Sequence, residues 1–339
     1  MKIVMVGHTN VGKTTYMASL YGVMQQSIND FCLKAVDSED RQALLKLADD
    51  IQKGKYPLPT DQRSEYKFNL RYQGKDVFPF TWADYRGGAI IQKQDSEQAQ
   101  LLLEDLKKTD GIMMFCDADA LARGNIRSNQ LGRMTTLISQ ALRELENPIS
   151  LSIILTKVDL VPKFTKNMLS PFSGIIKAIE VSDLVLGALI PVACGHQLIN
   201  IPLPLLFTLS SGVVIKRASL EKLSKDHYSS ALNWEEKSKG FSGLVRWVQD
   251  TWNGVTTDEE MARREREKAI QTRQEYESIL EPAKALVSYI NKLPIIQKGM
   301  DTVDYLNKIN SCQNTEFSLQ STKTGSFYQT YTDPFDAFN

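Results

Sequence analysis

The chain has no surplus of either charge: 40 Lys and Arg face 40 Asp and Glu over 339 residues, a formal net charge of zero. No long-range field draws nucleic acid or an anionic surface toward it, so either partner would need a local patch. Cysteine and histidine are scarce, at four and three residues. Cys32, Cys116, Cys194 and Cys312 show no C-x-x-C or metal-ligand spacing, which argues against a disulfide framework and a zinc site. A reducing, cytoplasmic setting is the expectation. Long apolar runs are missing too. The N-terminal run stops at Gly7, too short for a signal-peptide core. Leu184 to Val214 is broken by Gly187, Pro191, Gly195, Pro202 and Pro204. A spanning helix needs about 20 nearly continuous apolar residues, so no membrane segment is expected.

What is present is an ordinary globular composition, 42% hydrophobic and 24% charged, at a length that holds one large domain plus an appendage. Residues 2–6 read as a short buried strand that passes through a glycine turn into a helix near Lys13 to Met24. Ala43, Leu44, Leu47, Ala48 and Ile51 recur at three-to-four spacing, which predicts a helical insert over about 38–54. Two alternating runs, Tyr66 to Tyr72 and Val77 to Trp82, read as a hairpin around Gly74. Helical patterns at 96–107, 126–146 and 167–181 then alternate with buried strands at 111–116, 149–155 and 185–192. This predicts an α/β fold, a mostly parallel sheet flanked by helices. A helix over about 204–214 follows, and beyond residue 220 strand signals vanish.

The expected organisation is a nucleotide-type domain over 1–220, a helical extension over 221–298 and a polar, aromatic tail over 299–339, either a hairpin or disordered. Within the extension, 241–252 and 258–280 read as helices, and Pro282 opens another reaching about 292. Met261, Ile270, Ile279 and Leu280 are too irregular to predict a long coiled coil.

Gly7-His8-Thr9-Asn10-Val11-Gly12-Lys13-Thr14 fits G-x-x-x-x-G-K-[ST] at every fixed position, and it sits between a strand and a helix, the context that motif requires. Backbone N–H groups from Gly7 through Val11 and Gly12 to Thr15 can then wrap phosphate at the positive end of a helix. Lys13 is placed to bridge β- and γ-phosphates and Thr14 to ligate Mg²⁺.

Thr156-Lys157-Val158-Asp159 ends a buried strand and resembles the Asn/Thr-Lys-x-Asp guanine signature of GTPases. A carboxylate at Asp159 can accept from guanine N1–H and its 2-amino group, whereas adenine offers neither donor. The stem of Lys157 would cover the base while its ammonium stays in water. Thr156 stands where Asn is commoner, so one tether to the phosphate loop is expected to be weaker or lost. Val192-Ala193-Cys194-Gly195 resembles the segment whose backbone N–H reads guanine O6, which implicates Ala193 and Cys194. Trp82-Ala83-Asp84-Tyr85-Arg86-Gly87 contains D-x-x-G, and resemblance makes Asp84 a carboxylate reaching Mg²⁺ through water and Gly87 a γ-phosphate contact. Thr60, in Gly54-Lys55-Tyr56-Pro57-Leu58-Pro59-Thr60, is the candidate switch threonine that joins Mg²⁺.

Taken together, GHTNVGKTTYMASLYG, the helical insert before GKYPLPT, WADYRGG and TKVD resemble the translation-factor-related class of P-loop GTPases, and within it the bacterial double-GTPase group and its single-domain relatives. The resemblance covers about residues 1–215. It implies GTP and GDP as ligands, hydrolysis of GTP, and a nucleotide-controlled switch for a protein effector or activator, with a second GTPase as a separate chain. Gly88 stands where many small GTPases carry a water-orienting glutamine, so turnover is expected to be slow without a partner, and Arg86 is near enough to contribute. Asn10 is the position from which the subgroup can bind K⁺. The alternatives are a dynamin-like mechanical GTPase and a nucleotide-binding scaffold with negligible turnover.

Overall fold

The computed structural model describes residues 1–59, 63–85, 87–90, 96–238, 258–290, 293–297, 299 and 302–313. Its centre is a seven-stranded sheet in the order β2-β3-β4-β1-β5-β6-β7. β1 (Lys2–Val6), β4 (Lys75–Asp84), β5 (Gly111–Asp117), β6 (Ile149–Thr156) and β7 (Val185–Pro191) pair in parallel, while β2 (Phe31–Ala35) and β3 (Ser64–Tyr72) add antiparallel partners beside β4. β1, β5, β6 and β7 are almost wholly buried, which explains their near-continuous apolar sequences. The chain is an α/β protein with the mostly parallel sheet of a P-loop NTPase.

Helices cover both faces. On one, α3 (Glu97–Lys107), α5 (Leu131–Leu142) and α7 (Ser173–Glu180) bury Leu102, Leu106, Met134, Ile138, Ile175 and Ile179 against the sheet. On the other, α1 (Lys13–Val23) brings Tyr16 edge-on to Phe115, at 5.3 Å between ring centres, and to Trp82 at 6.2 Å. Such edge-to-face contacts add to the area term in a core already rich in aromatics. α2 (Ser38–Gln52) is the expected insert, started by Asp37, whose carboxylate accepts from the N–H groups of Glu39 and Asp40.

Several boundaries differ from the pattern reading. The stretch 126–146 is not one helix: Gln130 sits at φ 50 and separates a 3₁₀ turn, Ile126–Asn129, from α5. Pro171 divides 167–181 in the same way, leaving α6 (Lys166–Leu169), a 3₁₀ turn and α7. α8 runs Leu203–Ser238, far beyond residue 214, and α9 runs Asp258–Ile290 straight through Pro282. The predicted helix at 241–252 lies outside the described residues.

Two compact units result: Met1–Gly212 with Leu286–Asn339, and Val213–Ala285. The expected breaks at 220 and 298 do not coincide with them. In the second unit α8 and α9 run antiparallel, with Lys216 paired to Glu275 at 2.9 Å, His227 to Glu265 at 2.6 Å, and the Ser224 hydroxyl directed at the Ala269 carbonyl. The covered face of α9 passes through Ala262, Glu265, Ala269, Thr272, Tyr276, Ile279 and Ala283 at alternating spacings of three and four. That is a heptad seam. It escaped notice because small and polar residues fill positions where large apolar ones are expected.

In the first unit, residues 293–297 run along β7: the Leu189 N–H donates to the Pro294 carbonyl and the Ile296 N–H to the Gly187 carbonyl, at 3.2 and 2.8 Å. α10 (Thr302–Gln313) then buries Tyr305 and Ile309 in the core. The first part of the expected tail is therefore a docked helix, and 314–339 lie outside the described residues.

Gly111 fixes how closely α8 approaches the sheet, since an added Cβ would lie 2.4 Å from Thr208 Cγ2 and 3.1 Å from the Thr208 carbonyl oxygen. Gly111→Ala should destabilise the chain by about 1–3 kcal/mol, the usual cost of overpacking. Thr208→Ser, which removes the methyl and keeps the hydroxyl bonded to Ser152, should recover part of that loss in denaturant unfolding.

Candidate functional site

The C-terminal ends of β1, β4, β6 and β7 open on one cavity of about 380 Å³. Thr9, Asn10, Gly12 to Thr15, Tyr56 to Pro59, Gly87, Thr156, Lys157, Asp159, Leu160, Cys194 and Gly195 line it. Its size suits a small ligand. Gly12 caps α1 at φ 93 with no side-chain cap, so the first-turn N–H groups have no intrahelical acceptor and offer an anion site.

Lys13 opens that helix and is 6% exposed. Its ammonium donates to the Gly7 carbonyl at 3.0 Å. Burial lowers its pKa, and the nearby Asp84 carboxylate opposes the shift. Asp84, at the end of β4, is 3% exposed, and burial lifts its pKa to about 6 against the pull of Lys13 and a hydrogen bond from Thr14. Among the described residues, Asp84 Oδ1 has no hydrogen-bond partner. Two opposite charges are thus buried together and incompletely compensated, an arrangement suited to a polyanion and a hard cation.

At the end of β6, the Thr156 hydroxyl lies 2.7 Å from the Val11 carbonyl and 3.1 Å from the Cys116 carbonyl. The shorter side chain therefore does tie the β6 end to the Gly7–Thr14 loop, so the tether is not lost. Lys157, at φ 57, ion-pairs with Asp117 rather than leaving its ammonium to water alone. Asp117 is itself held by Asn129, whose amide accepts from the Asp117 N–H at 2.6 Å and donates to its carbonyl at 3.0 Å. The pattern reading missed Asp117, although an Asp between a buried strand and a helix, here α4 (Ala118–Ala122), is a common cap. Tyr56 was missed as well. A Cβ on Gly195 would lie 2.9 Å from the Tyr56 phenol oxygen and 3.8 Å from Asp159 Oδ2, so the proline-rich loop reaches the base-side wall.

Of the other candidates, Cys194 lines the cavity, whereas Ala193 is buried behind it. Gly7 and Val11 pack beneath the loop: a Cβ on Gly7 would be 2.9 Å from Val11 Cγ2 and 3.0 Å from Phe115 Cβ. Gly87 abuts the loop from the other side, where an added Cβ would fall 2.0 Å from the Thr9 nitrogen. Thr60 and Arg86 lie outside the described residues. Gly88, half-buried in the 3₁₀ turn Gly87–Ile90, presents no side chain toward the cavity. No helix among the described residues is long and apolar enough to cross a membrane.

Thr156→Val keeps the shape and removes the donor, leaving buried carbonyls at Val11 and Cys116 short of a partner. The expected loss is about 1–3 kcal/mol in unfolding free energy, with Thr156→Ser close to wild type. Equal stability of the valine and serine variants would mean the tether is idle.

The Double-GTPase 1 family model matches residues 4–160, a little under half of the chain. No curated protein matches it. Among solved structures, the S. cerevisiae Ski7 GTPase-like domain bound to GTP aligns over 57% of this chain and 42% of its own, at 15% identity and a TM-score of 0.36. A GTP-binding protein from the archaeon Sulfolobus solfataricus, in complex with GDP, aligns over 57% and 46%, at 17% identity and a TM-score of 0.31. The chain spans less than half the length of these neighbours. Residues 4–160 are thus similar to the Double-GTPase 1 family.

Proposed function

We propose that the chain binds GTP and GDP in this cavity, hydrolyses GTP to GDP and phosphate, and acts as a nucleotide-controlled switch for a protein partner. The observation that carries the reading is the convergence of the α1 N-terminus, Lys13 and Asp159 on one cavity, with Asp84 buried behind Lys13 and Thr14: anionic-ligand features lie on one side and a guanine-type acceptor on the other. Lys13 and the first-turn N–H groups would hold the phosphates, and Asp159 would accept from guanine N1–H and its 2-amino group. Neutral backbone donors at Cys194 and Gly195 would face the base oxygen. Ala193 is a weaker candidate for that role because it is buried behind the wall.

Mg²⁺ fits the donor set, since Asp84 carries a buried oxygen without a partner and Thr14 supplies a hydroxyl beside it. Thr14, Thr60 and, through water, Asp84 would hold the ion, which would neutralise charge on the β- and γ-oxygens. Asn10, at φ 67 in the cavity lining, would offer its amide oxygen to K⁺. Gly88 cannot orient water, so hydrolysis is slow until a partner supplies the missing group, with Arg86 a second source within the chain. Leu58, Tyr56 and Leu160 rim the cavity at 86%, 58% and 56% exposure, and this apolar edge supports a protein as the reader of the bound state. A second GTPase chain is one such partner.

The test reverses a hydrogen-bond polarity. Asp159→Asn gains a donor, and xanthine carries a carbonyl oxygen where guanine carries its 2-amino group. Competition binding should give wild type a preference for GTP over ATP of about 10⁴ or more, with the variant losing GTP and favouring XTP by more than about tenfold. Wild type accepting ATP as readily as GTP would overturn the guanine assignment.

A further inference from the structure

We propose that α10 braces the base pocket from behind its wall, with Asn310 a positioning residue that sets guanine affinity through the loop carrying Asp159. The inference rests on the guanine reading and extends it to a segment that carries no nucleotide motif.

Two segments form the base-side wall. The first leaves β6 at Thr156, turns through Lys157 and the 3₁₀ turn Val158–Leu160, and returns to the core at Val161 and Phe164, each 2% exposed. The second is a small hairpin in which β8 (Ala193–Cys194) pairs with β9 (Leu198–Ile199), Gly195 lying between them. Neighbouring positions of α10 hold the far end of each. Asn310 Oδ1 accepts from the Phe164 N–H at 2.9 Å, and its Nδ2 faces the Phe164 carbonyl at 3.5 Å. Two residues on, the Cys312 carbonyl accepts from Asn200 Nδ2 at 2.9 Å.

Asn200 makes that second link rigid. It is 1% exposed and at φ 54, a left-handed conformation that Asn tolerates better than most residues. The same amide also donates to the carbonyl of Pro191, the last residue of β7, at 2.9 Å. One Asn thereby closes the hairpin onto the sheet and joins it to α10. The helix is anchored by Ile309 and Tyr305, buried in the core, and by the Tyr305 phenol oxygen, which accepts from the Gln297 N–H at 2.8 Å.

The consequence is selective. Both ties lie on the base side, while the phosphates are held by the α1 N-terminus and Lys13. Loosening α10 should therefore cost guanine affinity and leave phosphate affinity alone. A merely structural role would lower both together.

Calorimetric titrations of the full chain with GDP, ADP and pyrophosphate in Mg²⁺ test this. Asn310→Ala should weaken GDP about five- to tenfold, as for loss of a half-buried hydrogen bond, with pyrophosphate unchanged. Asn310→Asp keeps the acceptor for the Phe164 N–H and turns the second contact repulsive, a milder change for the case in which the alanine variant does not fold. It should weaken GDP about two- to fivefold with pyrophosphate again unchanged. Unaltered GDP affinity in a folded variant, or a parallel fall for GDP and pyrophosphate, overturns the role of Asn310 alone. Wild type failing to prefer GDP to ADP overturns the guanine reading and this inference with it.

Discussion

A lysine buried to 6% exposure is the constraint around which the rest is arranged. Removing an ammonium from water costs several kcal/mol unless charge and hydrogen bonds replace the hydration. Lys13 has the Gly7 carbonyl at 3.0 Å and the field of Asp84, itself buried with one oxygen unpartnered. Burial pushes the lysine pKa down and the Asp84 pKa up to about 6, so each group leans toward its neutral form. A nucleotide polyphosphate with its metal would compensate both. The strain of the pair is the physical case for such a ligand, apart from any motif.

Holding that pair in place falls to close backbone approaches. Gly7 lies against Phe115 and Val11, and Gly87 lies against His8 and Thr9 with no room for a Cβ. The phosphate loop is thereby wedged between β5 and the segment after β4. Thr156 joins it to the end of β6, and Lys157 ties the same strand end to Asp117 on β5. In the proposed function, a change at the phosphates would reach the loop carrying Asp159 through these bonded neighbours.

Much of this was legible because it depends on local pattern. Buried parallel strands read as apolar runs, and the phosphate loop, Asp84 and Asp159 each sit at a strand end that the run itself marks. Other features depended on tertiary partners. β2 is a five-residue edge strand whose pairing with β3 supplies its order, and the sequence FCLKA alone carries little signal. The break at Gln130 is a single left-handed residue inside an amphipathic pattern. The α9 seam uses Ala, Glu, Thr and Tyr, and the docking of α10 depends on Asn310 and Asn200, polar residues whose partners are more than a hundred positions away. Tyr56 reads as a loop residue until Gly195 is placed beside it.

The most direct measurement is a calorimetric titration of GDP into the full chain and into Lys13→Ala at fixed Mg²⁺. Lys13 is the buried charge that the proposed function assigns to phosphate, and a charged hydrogen bond is worth about 1.5–3 kcal/mol. Wild type should bind GDP, and the variant should bind it at least about tenfold more weakly while remaining folded. Equal affinity in the two proteins would contradict the assignment of this cavity to nucleotide phosphates.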